Sequence, residues 1–394
     1  MKKYVFVLFL ALGIGLASLS DVFADATSEA ILKLLIKKGV LTREEVDGLR
    51  AEVVKEQSSS SAPIEERVSK LEEDIKKTPK IANFLNGDMK IGGYIQTRYT
   101  TGPSKKVADT ITINNAKIAL SGRVNPEVAY KFEIGPHQTN GRILYDALVR
   151  AEYFPKAKIT MGQFKVPFSE EYLTSSSDLK TADRAIFQGT ISNEYSQGFM
   201  VEGDVLDNFY YAVAGVTGQD RTPAANDNEA KDVISRFVYT PFKKSNNKLL
   251  NGFQVGTAVE YGRQARSGND EGGRLRNLGM LKYKYDRWYV LSEYVHQRQE
   301  QIPGIDVAGA DGWYALFAYK FPLQVSKYKT ELEPVFKVEQ YDPSTGPRDG
   351  QDVYTLGLTW YPNKYFYIMA NYQFREEQRE DSNSRFILQS QVKF

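Results

Sequence analysis

Arg385-Phe-Ile-Leu-Gln-Ser-Gln-Val-Lys-Phe394 ends the sequence on an alternation of period two. Phe386, Leu388, Val392 and Phe394 share one face of an extended chain, and Arg385, Gln389, Gln391 and Lys393 share the other. Side chains alternate across a strand with a period of two, so the run reads as a strand with one greasy face and one wet face. The same period opens at Ile91-Gly-Gly-Tyr-Ile-Gln-Thr-Arg-Tyr99, where Ile95 and Tyr99 oppose Gln96 and Arg98. Sixteen runs of roughly ten residues can be traced between these two, the length that crosses a bilayer as a tilted strand. Tight connections at Arg123–Pro126, Phe154–Ala157, Leu206–Asn208, Asp286–Arg287 and Pro362–Asn363 carry turn residues. Long polar ones lie near 101–109, 168–194, 218–230, 262–274, 298–309, 341–351 and 375–383. Aromatic residues gather near strand ends, as at Tyr153, Phe154, Tyr239, Phe242 and Tyr361. Together these predict an all-β fold, a sixteen-stranded antiparallel transmembrane barrel over 81–394.

Composition agrees. Aromatics make up 12% of the 394 residues, with 25 Tyr and 21 Phe, yet mean hydropathy is −0.44. A formal charge of +2 offers no electrostatic case for a nucleic-acid partner. With no Cys and two His, disulfides, thiolate zinc and iron–sulfur sites are excluded, and no cofactor is expected.

Ahead of the barrel, Lys2 and Lys3 precede an apolar stretch from Tyr4 to Leu19, and Val22-Phe23-Ala24 offers a small-residue cleavage site. This predicts a signal peptide over 1–24. Residues 25–80 read as a periplasmic helical extension: Ile31, Leu34, Leu35, Val46, Leu49 and Val53 recur at helical spacing, and Thr42-Arg-Glu-Glu45 forms a capping box. After a Ser58–Ser61 linker, Ile64, Val68, Leu71 and Ile75 form a short coiled-coil seam.

Met161-Gly-Gln-Phe-Lys-Val-Pro-Phe-Ser-Glu170, Tyr172-Leu-Thr-Ser-Ser176 and Asp183-Arg184 resemble the signature of the phosphate-selective porin O and P family. Leu356-Gly-Leu-Thr-Trp-Tyr-Pro-Asn363, Asn371-Tyr372 and the terminal Phe394 resemble that family's closing hairpin. The resemblance implies a bacterial outer-membrane porin, a homotrimer whose third external loop folds into the lumen and which passes small hydrophilic or anionic solutes. The chain departs from the family pattern at Thr359, where Asn is usual, and at Ser177, where the phosphate channels carry Lys. It also lacks an Arg-rich strand.

In a wide channel, selectivity arises from charges at the narrowest point. The longest connection holds Lys180 and Arg184 beside Glu170, Glu171, Asp178, Asp183 and Glu194. Period two turns Arg98, Lys117, Lys131, Arg150, Lys165 and Arg236 toward the lumen, although Met161 and Phe164 disagree about Lys165. Glu133, Asp146, Glu152, Glu260 and Glu293 lie on the same inward faces. The expected function is passive diffusion with anion preference. Two alternatives remain: a structural tether reaching the periplasm through the helices, and an outer-membrane hydrolase using His137 or His296. Four Ser-x-x-Lys spacings, at Ser177/Lys180, Ser245/Lys248, Ser326/Lys329 and Ser390/Lys393, come without companion motifs, so no enzyme is expected.

Overall fold

The computed structural model describes residues 89–103, 109–138, 143–188, 190, 191, 195–217, 231–265, 271–300, 308–343, 350–377 and 383–394. Lys37, Glu44 and Asp47 are described as isolated helical positions. The remainder of the expected extension, the signal peptide and the seam at 64–75 lie outside the described residues. The chain divides into two units, Met1–Asn83 and Phe84–Phe394, and the second is the barrel.

The strands run in chain order. The first half comprises β1 (Lys90–Thr101), β2 (Thr110–Asn125), β3 (Val128–Gln138), β4 (Leu144–Phe154), β5 (Ala157–Lys165), β6 (Tyr195–Leu206), β7 (Phe209–Val216) and β8 (Asp232–Tyr239). The second half begins with β9 (Phe253–Ala265), β10 (Glu271–Tyr285) and β11 (Trp288–Gln299). Next comes β12, which covers Ala308–Tyr319 and resumes at Phe321–Val325. The last four are β13 (Tyr328–Asp342), β14 (Gln351–Asn363), β15 (Phe366–Glu377) and β16 (Arg385–Lys393). A four-residue helix, α1 (Glu170–Leu173), lies in the connection between β5 and β6. The two pieces of β12 keep one register against β13, from Ala318↔Val335 to Phe321↔Leu332. Pro334, which has no N–H to give, lies on β13 opposite the break. Counted as one strand, they make sixteen.

Each strand pairs antiparallel with its sequence neighbours, and β16 returns to β1 from Tyr94↔Lys393 to Thr101↔Phe386. Gly93 and Phe394 exchange both backbone hydrogen bonds, at 3.0 and 2.9 Å. The Phe394 ring rests over Gly93, where a Cβ would meet it. The sheet is therefore a closed barrel without edges.

At one end the turns are tight. Asn125 Oδ1 accepts from the N–H of Glu127 and Val128, and Asn363 Oδ1 from Tyr365 and Phe366. Asp286 and Ser326 start two-residue turns at φ of 51° and 54°. One connection at this end, 240–252, is longer than a tight turn and contains a 3₁₀ turn at Lys248–Leu250, capped by Asn247.

Outer faces carry the expected apolar residues: Ile95, Val149, Met161, Phe199, Val255, Phe317, Leu356, Leu388 and Val392 are all exposed. Inner faces differ from a uniformly wet lumen. Along β6–β13 they carry a buried apolar set, Met200, Ala214, Ile234, Leu278, Leu291, Val295, Leu316 and Val335, between buried charged residues. The reason is the connection after β5. Its Phe168, Phe187 and Ile191 pack on this wall in one continuous hydrophobic cluster.

Gly162 on β5 has φ of 121°, and a Cβ there would overlap the Ala147 carbonyl. Gly162→Ala should cost about 1–3 kcal/mol. It should lower the temperature at which the folded, fast-migrating form is lost on electrophoresis. Gly215→Ala, whose Cβ meets open space, should leave that temperature unchanged.

Candidate functional site

The connection 166–194 starts at the long-loop end of β5, and its described residues cross the barrel interior to touch the opposite wall. Ser169 caps α1 by accepting from Tyr172 N–H at 3.2 Å. Glu293 of β11 reaches the same helix end. Its carboxylate accepts from Ser169 Oγ at 2.8 Å, Glu170 N–H at 2.6 Å and Tyr314 Oη at 2.9 Å. A carboxylate at the end where α1 presents unbonded N–H groups is favourably placed. At the other end of α1, Lys165 Nζ donates to the carbonyls of Tyr172, Leu173 and Thr174. Arg184 donates to those of Glu171 and Thr174 and stacks 4.8 Å over the Tyr172 ring.

Ion pairs then fasten the segment around the wall. Glu170 binds Arg236 of β8 and Lys282 of β10, and Arg236 also donates to Phe168 O at 2.8 Å. Glu171 binds Lys337 of β13 at 3.1 Å. Glu339, beside Lys337, accepts from Ile186 N–H at 2.9 Å. Lys180 binds Glu333 of β13 at 2.7 Å. Lys393 of β16 binds Asp178 at 2.8 Å, and Gln96 of β1 donates to Ser176 O at 3.0 Å. Toward the long-loop end, Arg274 lies fully buried between Asp232 and Glu260, at 2.6 and 2.7 Å. Arg276 bridges Glu260 and Thr190 O.

Asp183 holds the centre of a different cluster. Its two oxygens bind Arg98 of β1 and Arg385 of β16, each at 2.8 Å. Gln373 donates to it at 3.2 Å. Burial would raise the Asp183 pKa. Arg98, Arg385 and, more weakly, Arg375 of β15 outweigh that and hold the carboxyl at about 2. The chain has no Arg-rich strand, yet neighbouring strands β15, β16 and β1 bring three arginines around one loop carboxylate.

Lys117, Lys131 and Arg150 lie on the wall of β2–β4, away from this clamp. Lys117 binds Glu133 at 3.2 Å and sits 3.3 Å from the centre of the Tyr145 ring. Lys131 lies between Asp146 and Glu133, and Arg150 binds Glu202 at 2.9 Å. Lys131 and Arg150 join Lys90 and Arg123 around a concavity of about 360 Å³ near the tight-turn end. Sequence patterning missed Lys282, Lys337, Glu333, Glu339, Arg274 and Arg276. Each alternates with outward residues and was accessible to the period-two argument. What patterning lacks is any signal pairing them with their partners, a loop distant in sequence for Lys282, Lys337, Glu333, Glu339 and Arg276 and two other strands for Arg274.

Among the described residues, His296 and the Ser177/Lys180 and Ser390/Lys393 spacings do not assemble a hydrolase site. His296 points outward and pairs with Asp311 at 2.9 Å. Its neighbours across the sheet are Asn277 and Asp311, neither of them a nucleophile. Lys180 turns to Glu333 rather than Ser177, and Ser390 bonds Thr97 while Lys393 binds Asp178. His137 lies at the end of β3 rather than in a loop.

Asp183→Asn should release the segment and speed trypsin cleavage after Lys180 or Arg184 by about tenfold, with the barrel still folded. A carboxyl with a depressed pKa stabilises fully above its free value, about 3.9. That contribution drains away as pH falls toward 2. Open-channel noise should therefore match at pH 7 and pH 5 in the wild type, and should approach that of Asp183→Asn near pH 2.

Comparison with known proteins agrees with the geometry. The model of the phosphate-selective porin O and P family matches residues 90–393. No curated protein matches the chain. Among solved structures, the barrel is similar to Salmonella typhi OmpF in complex with daunomycin, at TM-score 0.56 and 13% identity over 78% of this chain and 98% of that one. It is also similar to the outer membrane channel DcaP of Acinetobacter baumannii, at TM-score 0.55 and 9% identity over 78% and 97%. The trimer form of Vibrio cholerae OmpT matches at TM-score 0.55 and 12% identity over 78% and 99%. These likenesses show the fold. The family match, with a closed barrel that carries an inward-folded loop, shows that the chain is a bacterial outer-membrane porin and belongs to the phosphate-selective porin O and P family.

Proposed function

We propose that this porin passes small hydrophilic solutes by passive diffusion and favours anions, phosphate-type ions among them. The observation that carries the reading is the cluster of Arg98 and Arg385 on Asp183 with Arg375 beside them, three cations and one carboxylate among the described residues. Arg98 and Arg385 keep 13% and 27% of their side chains exposed, so water and solute can reach them. Charges beside a low-dielectric wall act several times more strongly than in open water: two unit charges 4 Å apart interact by about 1 kcal/mol in water and about 4 kcal/mol at an effective dielectric of 20. The concavity of Lys90, Arg123, Lys131 and Arg150 toward the tight-turn end is closer to neutral, because Arg123, Lys131 and Arg150 each pair with a carboxylate. Lys180, Arg184, Lys165 and Arg236 serve differently in this reading. They hold the loop in place, Lys117 is buried against Glu133 and the Tyr145 ring, and the arginine cluster with the wall cations Lys131 and Arg150 meets the solute.

Three copies assemble in this proposal. The support is an isoleucine-rich sector on β1 and β2, where Ile91, Ile95, Ile111, Ile113 and Ile118 are exposed. The trimer form of the similar Vibrio cholerae protein points the same way.

The test is the reversal potential across a planar bilayer in a salt gradient. Wild type should favour chloride over potassium. Arg375→Gln with Arg385→Gln leaves the Arg98–Asp183 pair balanced, and should lower that ratio several-fold at about 0.1 M salt. The drop should shrink at 1 M, where the screening length falls from about 10 to about 3 Å. An unchanged ratio in the double variant at low salt would place the filter elsewhere.

A further inference from the structure

At the tight-turn end, one hairpin outgrows the barrel. β12 pairs with β11 as far as Trp288↔Tyr319, and β13 pairs with β14 as far as Glu331↔Tyr361. Beyond those pairs, residues 321–325 and 328–330 pair only within their own hairpin, down to Val325↔Tyr328. Phe321–Val325 are all exposed, and five residues make about 16 Å of strand. Trp288, Tyr319 and Phe321 meet edge to face at 4.5 and 4.6 Å, an aromatic row at the rim, and Leu323, Val325 and Tyr328 lie past it. The neighbouring connections join the hairpin in one surface. Lys320 N–H donates to Arg287 O at 3.1 Å, Lys284 N–H to Gly252 O at 3.1 Å and Tyr283 Oη to Leu249 O at 2.9 Å.

This surface is apolar and basic. Leu249, Leu250, Leu323, Val325 and Tyr328 are exposed on it. Lys244 pairs with Asp207 at 2.7 Å and Lys320 with Glu331 at 2.8 Å. Lys243, Lys248, Lys284, Arg287, Lys327 and Lys329 are exposed and have no carboxylate partner among the described residues. Segments 240–252, 283–288 and 320–331 hold one further acid to set against them, Asp286.

We infer that this surface docks an acidic, amphipathic segment of another periplasmic protein, its apolar side chains on Leu323, Val325 and Tyr328 and its carboxylates on the surrounding lysines. Tight turns mark the periplasmic end of such barrels, so the hairpin projects into the periplasm. Its backbone edges have no strand partner and need water, which places it beyond the hydrocarbon rather than in the inner leaflet. Large apolar side chains grouped in water mark a protein contact. Six cations facing one acid select an acidic occupant. They also repel a second copy of the same surface, and Pro322 and Lys329 discourage pairing edge to edge.

Fluorescence anisotropy on the full-length protein in phosphatidylcholine nanodiscs tests this. The probes are a labelled peptide alternating Glu with Leu and Val, the same peptide with Lys for Glu, and one with Ser for Leu and Val. Wild type should bind the first about tenfold more tightly than either of the others at about 0.1 M salt. Leu323→Ser with Val325→Ser should remove the advantage over the Ser peptide. Lys248→Gln with Lys327→Gln and Lys329→Gln should remove the advantage over the Lys peptide. All five side chains are exposed, so both variants should keep the heat-resistant migration of the folded barrel. Equal binding of the three peptides, or no binding of the acidic one, overturns the proposal. So does unchanged binding by both variants, which would place the peptide elsewhere, as in the lumen. Phosphatidylglycerol retained by wild type in native mass spectrometry but lost in the lysine variant, with peptide binding unchanged, would assign the surface to lipid and overturns it as well.

Discussion

A sheet surrounded by hydrocarbon has no solvent to satisfy its backbone, so every N–H and C=O at its margins must find a partner within the sheet. Here that demand is met where β16 returns to β1, along eight register pairs from Tyr94↔Lys393 to Thr101↔Phe386. The exchange between Gly93 and Phe394 extends it. Alternate side chains point in opposite directions along each strand, so the strands of a closed barrel present mostly apolar residues outward. The inner positions are left free to vary. The lumen, the loop anchors and the candidate filter all occupy those inner positions.

The inner surface is used in two ways. Along β6–β13 it mixes apolar residues, which receive Phe168, Phe187 and Ile191, with the charged residues of the clamp, so the loop is held by burial as much as by charge. Along β14–β16 and β1–β4 it is polar and carries the arginine cluster and the lysine pairs. Most loop carboxylates meet wall cations, and the wall's Glu293, Glu333 and Glu339 meet loop donors. Buried pairs of this kind give little net stability but are costly to break singly. They specify where the segment sits. A loop so fixed narrows the lumen without moving parts, which suits passive diffusion.

The fold was legible because period two is a local property. Gln389 and Gln391 against Leu388 and Val392 can be read without knowing any partner strand, and the structure places them as that pattern implies. Turn chemistry was similarly local at Asn125 and Asn363, although the Ser326 turn and the longer 240–252 connection escaped it. The site was legible only in its inventory. Lys180 and Arg184 were identified as loop cations, but their partners, Glu333 and the carbonyls of Glu171 and Thr174, depend on how the loop crosses the barrel. Lys165 defeated alternation because it ends β5 and folds beneath α1. The arginine cluster was invisible for a related reason: Arg375 and Arg385 lie on one hairpin, but Arg98 is far away in sequence and joins them only through closure.

The most direct measurement exploits the absence of cysteine. Phe187 of the loop packs against Gly312 of β12, and a Cβ built on Gly312 would lie 2.7 Å from that of Phe187. A Phe187→Cys, Gly312→Cys variant should form a disulfide under mild oxidation after relaxing by about 1 Å. Single-channel conductance in planar bilayers should be the same before and after reduction, because the loop already lives against that wall. Failure to form the bond in the folded barrel, or a conductance that rises when it is reduced, would mean that the loop does not reside across the lumen.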